Sequence, residues 1–94
     1  MELNNGNGKY SKTEKLLFSY VPRSGKTITS TEILERRRKD EKDWNVDNPR
    51  NVISLVMRSL IVKIARNRES FRLRKSERFG PYPTEYWIEK RNGK

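Results

Sequence analysis

The 94-residue sequence predicts one small domain of the α+β class. Three segments carry apolar residues at helical spacing, and two of them begin with a serine or threonine three residues before a glutamate, as helix N-termini often do. After residue 70, apolar residues alternate with charged ones, which predicts strands. A chain of this length has room for a single domain with a modest core.

The first predicted helix follows a capping box. Ser11 and Glu14 have the spacing at which each side chain accepts a hydrogen bond from the other residue's backbone amide, so we expect a helix over about 12–20. Residues 1–10 are rich in asparagine and glycine and are predicted to be a disordered tail, as are residues 91–94.

A second capping box, formed by Thr29 and Glu32, predicts a helix over about 30–40. The preceding residues 26–29 suffice only for a short edge strand. The helix ends in four consecutive cations at 36–39, where positive charge suits the helix dipole. These cations fit a solvated helix end and contacts to a phosphate backbone equally well.

The longest helix is predicted over about 49–67. Asn48 and Pro49 are favoured as the N-cap and first residue of a helix. Apolar residues then recur at spacings of three and four, and we expect this face to enter the core. The residues of that face are Ile53, Val56, Leu60 and Ile64.

A basic β-hairpin is predicted over about 71–89. Its first strand alternates apolar residues with arginines, and its second strand, over 84–89, is rich in residues that favour strands. The connecting loop, 76–83, contains two prolines and a glycine, which are typical of turns.

Three aromatic residues are candidates for the core or for stacking on bases. Trp44 lies in the polar loop 40–48 and is a candidate for burial. Tyr86 and Trp87 are neighbours on a strand and therefore point to opposite faces of the sheet. We expect Trp87 to pack against Phe71 or Leu73, or to cover part of the first helix. Core packing is the commoner role for such residues in a small domain.

The charge of the chain indicates a polyanionic partner. The net charge is +10, and it is unevenly distributed. Residues 1–48 carry 10 basic and 8 acidic side chains, a net +2, whereas residues 49–94 carry 12 basic and 4 acidic side chains, a net +8. The partner is therefore expected to meet the C-terminal half.

Composition argues against several other classes of protein. The chain has no cysteine or histidine, so zinc sites of the usual kind and a histidine general base are excluded, and no cofactor, metal or small-molecule substrate is expected. Gly25-Lys26-Thr27 resembles the end of a P-loop, but Tyr20 stands where that motif needs glycine. No apolar run or signal peptide points to a membrane. We expect a non-enzymatic protein located in the cytoplasm or associated with the nucleoid.

The order of elements resembles the winged helix-turn-helix family, over about residues 11–90. This order is helix, short strand, helix, helix, strand, loop, strand. The resemblance implies that helix 49–67 is a recognition helix in the major groove of DNA and that the hairpin is a wing with its tip at 76–83. The loop 40–48 is longer than the tight turn of the simplest members.

Candidate DNA-binding residues follow from this arrangement. Polar residues opposite the core face of the long helix can contact base edges, and a leucine can contact a thymine methyl group. The expected base contacts are Asn51, Ser54, Leu55 and Arg58. The expected backbone contacts are Lys26, Arg50, Arg72, Arg74, Lys75 and Arg78.

The leading hypothesis is a double-stranded-DNA-binding protein, either a transcriptional regulator or the targeting module of a larger assembly, monomeric or weakly dimeric. One alternative is an RNA-binding domain of the same shape. Another is a protein-interaction domain, because Leu55 and Val62 are apolar residues on an otherwise polar helix face.

Overall fold

The computed structural model describes Leu3, residues 10–76 and residues 83–90. These described residues form three helices, α1 (Lys12–Tyr20), α2 (Ser30–Asp40) and α3 (Pro49–Arg66), and three strands, β1 (Ile28–Thr29), β2 (Phe71–Lys75) and β3 (Glu85–Lys90). The predicted α+β class and the predicted order of elements are confirmed.

The strands form one antiparallel sheet in the order β1-β3-β2, so among the described residues β3 is central and β2 is an edge strand. Leu73 lies opposite Ile88 and Arg74 opposite Trp87 in the β2–β3 pair, while Ile28 lies opposite Tyr86 in the β1–β3 pair. The helices cover one face of this sheet, because the apolar residues of β2 and β3 on that face are buried with those of the helices.

Both predicted capping boxes are formed. The Glu14 amide donates to Ser11 Oγ at 3.1 Å, and the Ser11 amide donates to Glu14 Oε1 at 2.7 Å. Thr29 and Glu32 make the equivalent pair, at 3.2 and 3.0 Å. Each box satisfies amides that the first turn of a helix leaves without intrahelical partners.

The N-terminus of α3 differs from the expectation at Asn48. This residue precedes the helix, but its φ of 56° is left-handed and its side chain makes no capping hydrogen bond. Its carbonyl oxygen instead accepts from the Asn51 amide at 3.0 Å. Pro49 is the first helical residue, as predicted, and needs no partner because proline has no amide proton.

The core lies between the sheet and the three helices. On α3 the buried residues are Ile53, Met57, Leu60 and Ile64. Val56, predicted in this set, is only half-buried and packs against the core from its edge, whereas Met57, which was not predicted, is fully buried because it lies nearer the centre of the face. Phe18 of α1 stacks on Phe71 of β2 with 5.4 Å between ring centroids, which joins the first helix to the edge strand.

Trp87 does not pack where the sequence analysis placed it. Tyr86 and Ile88 are the buried residues of β3, and Trp87 between them is half-buried on the opposite face of the sheet. Strand alternation therefore separates it from Phe71 and Leu73, which face the core.

The core also involves two N-terminal residues that were predicted to lie in a disordered tail. Tyr10 is buried in the core, and Leu3 packs against it. The rest of the predicted tails, residues 91–94 included, and residues 77–82 of the predicted wing tip lie outside the described residues. They remain predictions.

Candidate nucleic-acid interface

Helix α3 has four sides, and each meets a different environment. One side, already described, enters the core. A second side contacts α1, where Ser59 Oγ donates to Glu14 Oε2 at 2.6 Å and Lys63 Nζ lies 2.8 Å from Glu14 Oε1. Glu14 is 4% exposed, whereas its partners Ser59 and Lys63 are half-buried, so this contact is a partly buried link between the first and third helices.

Burial by itself raises the pKa of Glu14. The hydrogen bonds from Lys63, Ser59 and the Ser11 amide, together with the charge of Lys63, outweigh this effect and hold the pKa below its ordinary value. Glu14 is therefore an ionised carboxylate that fixes the rotation of α3 about its axis, and with it the direction of the other sides.

The third side of α3 faces the edge strand β2. Ile61 and Ala65 line a groove of about 330 Å³ together with the β2 residues Arg72, Leu73, Arg74 and Lys75. Ser54 and Arg58 continue the stripe of Ile61 and Ala65 towards the helix N-terminus, because successive spacings of four, three and four keep residues on one side of a helix. Both are exposed.

The fourth side points outwards. Leu55 is 55% exposed and Val62 is 48% exposed, and their separation of seven residues places them above one another. Asn51 is exposed between this side and the groove side, at about 100° of rotation per residue. The four residues predicted to contact bases are therefore all exposed, on two adjoining sides of α3.

Helix α3 carries cations without any acidic residue. Its sequence includes Arg50, Arg58, Lys63 and Arg66, and no aspartate or glutamate. Arg50, Arg58 and Arg66 are exposed, whereas Lys63 is half-buried against α1. The solvent-facing sides of the helix are consequently positive along their length.

The predicted backbone contacts on β2 are exposed at the same groove. Arg72 and Arg74 project from the face of the sheet that is opposite to the core. Lys75 is two residues after Leu73 and therefore points to the core face, but it lies beyond the core at the end of the strand and is exposed. Arg74 Nε lies 3.4 Å from Glu89 Oε2, with both side chains about half exposed. This diagonal ion pair draws the Arg74 guanidinium towards β3, although Arg74 also lines the groove.

Two other predicted backbone contacts stand apart from this group. Lys26 is exposed in the segment before β1, at the sheet edge opposite β2. Two strand spacings, about 10 Å, separate those edges. The structure does not bring Lys26 to the groove, because β3 inserts between β1 and β2. Arg78 lies outside the described residues.

The cations at the end of α2 are partly used within the protein. Arg36 donates to the Tyr20 carbonyl oxygen at 3.3 Å, and Arg37 lies 2.7 Å from Glu41 and 5.0 Å from the centre of the Trp44 ring. Arg38 instead borders a surface cavity of about 490 Å³, which is also lined by Lys42, Asp43, Trp44, Asn45, Val46 and Pro49. Trp44, predicted to be buried, is half-buried here.

Sequence reasoning missed two tyrosine–carboxylate pairs, one buried and one partly buried. Tyr10 donates to Glu69 Oε2 at 2.8 Å, and Tyr20 donates to Asp40 Oδ2 at 2.5 Å. In each case burial and the carboxylate raise the pKa of the tyrosine to about 12. No local pattern could have found the first pair, because its members are 59 residues apart.

The described residues contain no group of three or more histidine, cysteine, aspartate or glutamate side chains that could hold a metal ion. Over the same residues, no helix combines the length and the apolar character needed to cross a membrane. Comparison of the chain with known protein families, curated proteins and solved structures finds no match.

Proposed function

We propose that the protein is a winged-helix domain that binds double-stranded DNA through α3 and the β2–β3 hairpin, as a transcriptional regulator or the targeting module of a larger assembly. The order of elements and the sheet order β1-β3-β2 are compatible with that fold. The role is one of binding rather than catalysis.

The observation that carries the proposal is the positive groove between α3 and β2. Arg72, Arg74 and Lys75 line it from the strand, and Arg58 lies on the helix stripe that lines its other wall. A helix side free of carboxylates beside a cationic strand is the arrangement that would bind phosphates along a duplex. In this interpretation Asn51, Ser54, Leu55 and Arg58 face bases, and Arg50 is close to the backbone at the helix N-terminus.

A salt titration tests the proposal. Fluorescence anisotropy of a labelled duplex of random sequence would be measured at increasing potassium chloride concentration. Four phosphate contacts, by Arg50, Arg72, Arg74 and Lys75, predict that log K falls against log salt with a slope of about −3 to −4. Substitution of Lys12, an exposed lysine on α1, by alanine is the matched control and should leave the slope unchanged. A slope near zero would contradict the proposal.

Two other candidate functions remain testable with the same protein. Duplex RNA could bind a cationic groove of this kind, and competition between DNA and RNA duplexes at one salt concentration distinguishes the two. The exposure of Leu55 and Val62 favours a protein partner on the outward side of α3. Binding of such a partner would persist at salt concentrations that release DNA.

A further inference from the structure

We propose that the free edge of β2 binds an extended acidic peptide segment of a partner protein by strand addition. The inference concerns the groove described above but does not depend on DNA binding. Within the described part of the chain, β2 pairs with β3 alone, so its other edge lacks a neighbouring strand. That edge faces the groove lined by Ile61 and Ala65.

The hydrogen-bonding pattern of the hairpin identifies the backbone groups that face the groove. The Ser76 amide donates to the Glu85 carbonyl oxygen at 2.9 Å, so this pair is hydrogen-bonded. Hydrogen-bonded and non-hydrogen-bonded pairs alternate along an antiparallel ladder. Arg74 and Arg72 therefore direct their amides and carbonyls towards β3, whereas Leu73 and Lys75 direct theirs outwards to the groove.

An extended peptide complements this edge better than a phosphate does. Leu73 and Lys75 each present an amide donor and a carbonyl acceptor, and a peptide strand satisfies both whereas a phosphate satisfies only donors. A second copy of β2 is disfavoured, because it would bring Arg72, Arg74 and Lys75 against the same cations of its partner.

The surroundings of the edge define the chemistry of the segment. Side chains of an added strand alternate between its two faces. Those on the helix side would meet Ile61 and Ala65 and should be small and apolar, because the groove holds only about 330 Å³. Those on the opposite side would lie beside Arg72 and Arg74 and should be carboxylates. The expected ligand is therefore a segment as long as β2 in which acidic and small apolar residues alternate.

The test is an amide-shift titration of the full chain with a peptide of that length, blocked at both ends, in which aspartate alternates with valine. The amides of Leu73 and Lys75 should shift and become protected from hydrogen exchange. Two further peptides sharpen the test. In each of them, the backbone amides along one edge of the extended peptide are N-methylated, so that they cannot donate hydrogen bonds. Only the peptide methylated on the edge that faces β2 should lose binding, and equal binding of both would overturn the proposal.

Two variants locate the site. Ala65→Glu introduces a carboxylate into the groove at an exposed position and should weaken peptide binding about tenfold or more. Lys26→Glu, at the opposite edge of the sheet, should leave it unchanged, because Lys26 is distant from the groove. An absence of shifts at Leu73 and Lys75 would refute the inference while leaving DNA binding intact. Peptide binding without duplex binding would refute the proposed function instead.

Discussion

Lys63 Nζ of α3 lies 2.8 Å from Glu14 Oε1 of α1, in a contact where the Glu14 side chain is almost fully buried and the Lys63 side chain is partly exposed. The same carboxylate accepts from Ser59 Oγ and from the Ser11 amide, so one side chain serves both as half of a capping box and as the link between two helices. The orientation of α3, and hence of the groove stripe, depends on this carboxylate.

Substitution of Glu14 by glutamine tests that dependence. The amide oxygen of glutamine can still accept from the Ser11 amide, but the charge that pairs with Lys63 is lost. We expect the free energy of unfolding to fall by about 2 kcal/mol, measured by urea denaturation. Glu35→Gln removes a charge from an exposed position on α2 and should change stability little. Equal effects of the two substitutions would show that the buried link contributes nothing.

Acidification should weaken the fold through the same group. The pKa of Glu14 in the folded protein is lower than its ordinary value, so its contribution is complete above the pKa of the unfolded chain. The contribution is lost as the pH falls through the lower pKa of the folded protein. Urea unfolding at a series of pH values should show the difference between the native protein and E14Q shrinking below about pH 4.5. A difference that is independent of pH would contradict this account.

Met57→Ala should destabilise the protein far more than Val56→Ala. Met57 is fully buried, and its truncation leaves a cavity, with an expected cost of about 3 kcal/mol. Val56 is only half-buried, so the cost of its truncation should be less than half as large. Thermal unfolding of the two variants ranks the costs. A larger loss of stability for Val56→Ala than for Met57→Ala would show that the core face of α3 is centred on Val56 rather than on Met57.

Base contacts and backbone contacts should respond differently to truncation. If the proposed function holds, Arg58→Ala should reduce the preference for the best duplex over random duplexes by about 1–3 kcal/mol, because an arginine–guanine contact is lost. Arg72→Ala should weaken all duplexes alike and reduce the salt slope by about one. Selection of a preferred site from random DNA, followed by anisotropy, makes this comparison. Identical behaviour of the two variants would argue against a groove-reading role for Arg58.

The ion pair between Arg74 and Glu89 predicts that duplex binding can be strengthened. Glu89→Gln removes the carboxylate that competes with a phosphate for the Arg74 guanidinium. We expect tighter duplex binding with a steeper salt slope, while stability stays nearly unchanged because the pair is half exposed. Glu35→Gln removes the same charge from an exposed position on α2 and is the matched control. If both variants bind DNA equally, Glu89 does not restrain Arg74.

The elements of this fold were predictable because their signals are local. The spacing of Ser11 with Glu14 and of Thr29 with Glu32 places two helix starts to the residue. The predictions were wrong where contacts with the rest of the molecule override a local preference. Asn48 precedes a helix but turns left-handed, and Trp87 lies on the face of the sheet that the core does not use.

The sequence by itself determined the helices, the strands, the positive charge of the C-terminal half and the exposed residues of α3, because these follow from periodicity, capping and composition. Only the tertiary structure decided which groups meet. Glu14 and Lys63 are 49 residues apart, Tyr10 and Glu69 are 59 apart, and β3 separates Lys26 from the cations of β2. Packing of the whole chain fixes such contacts, and no short segment contains the information that specifies them.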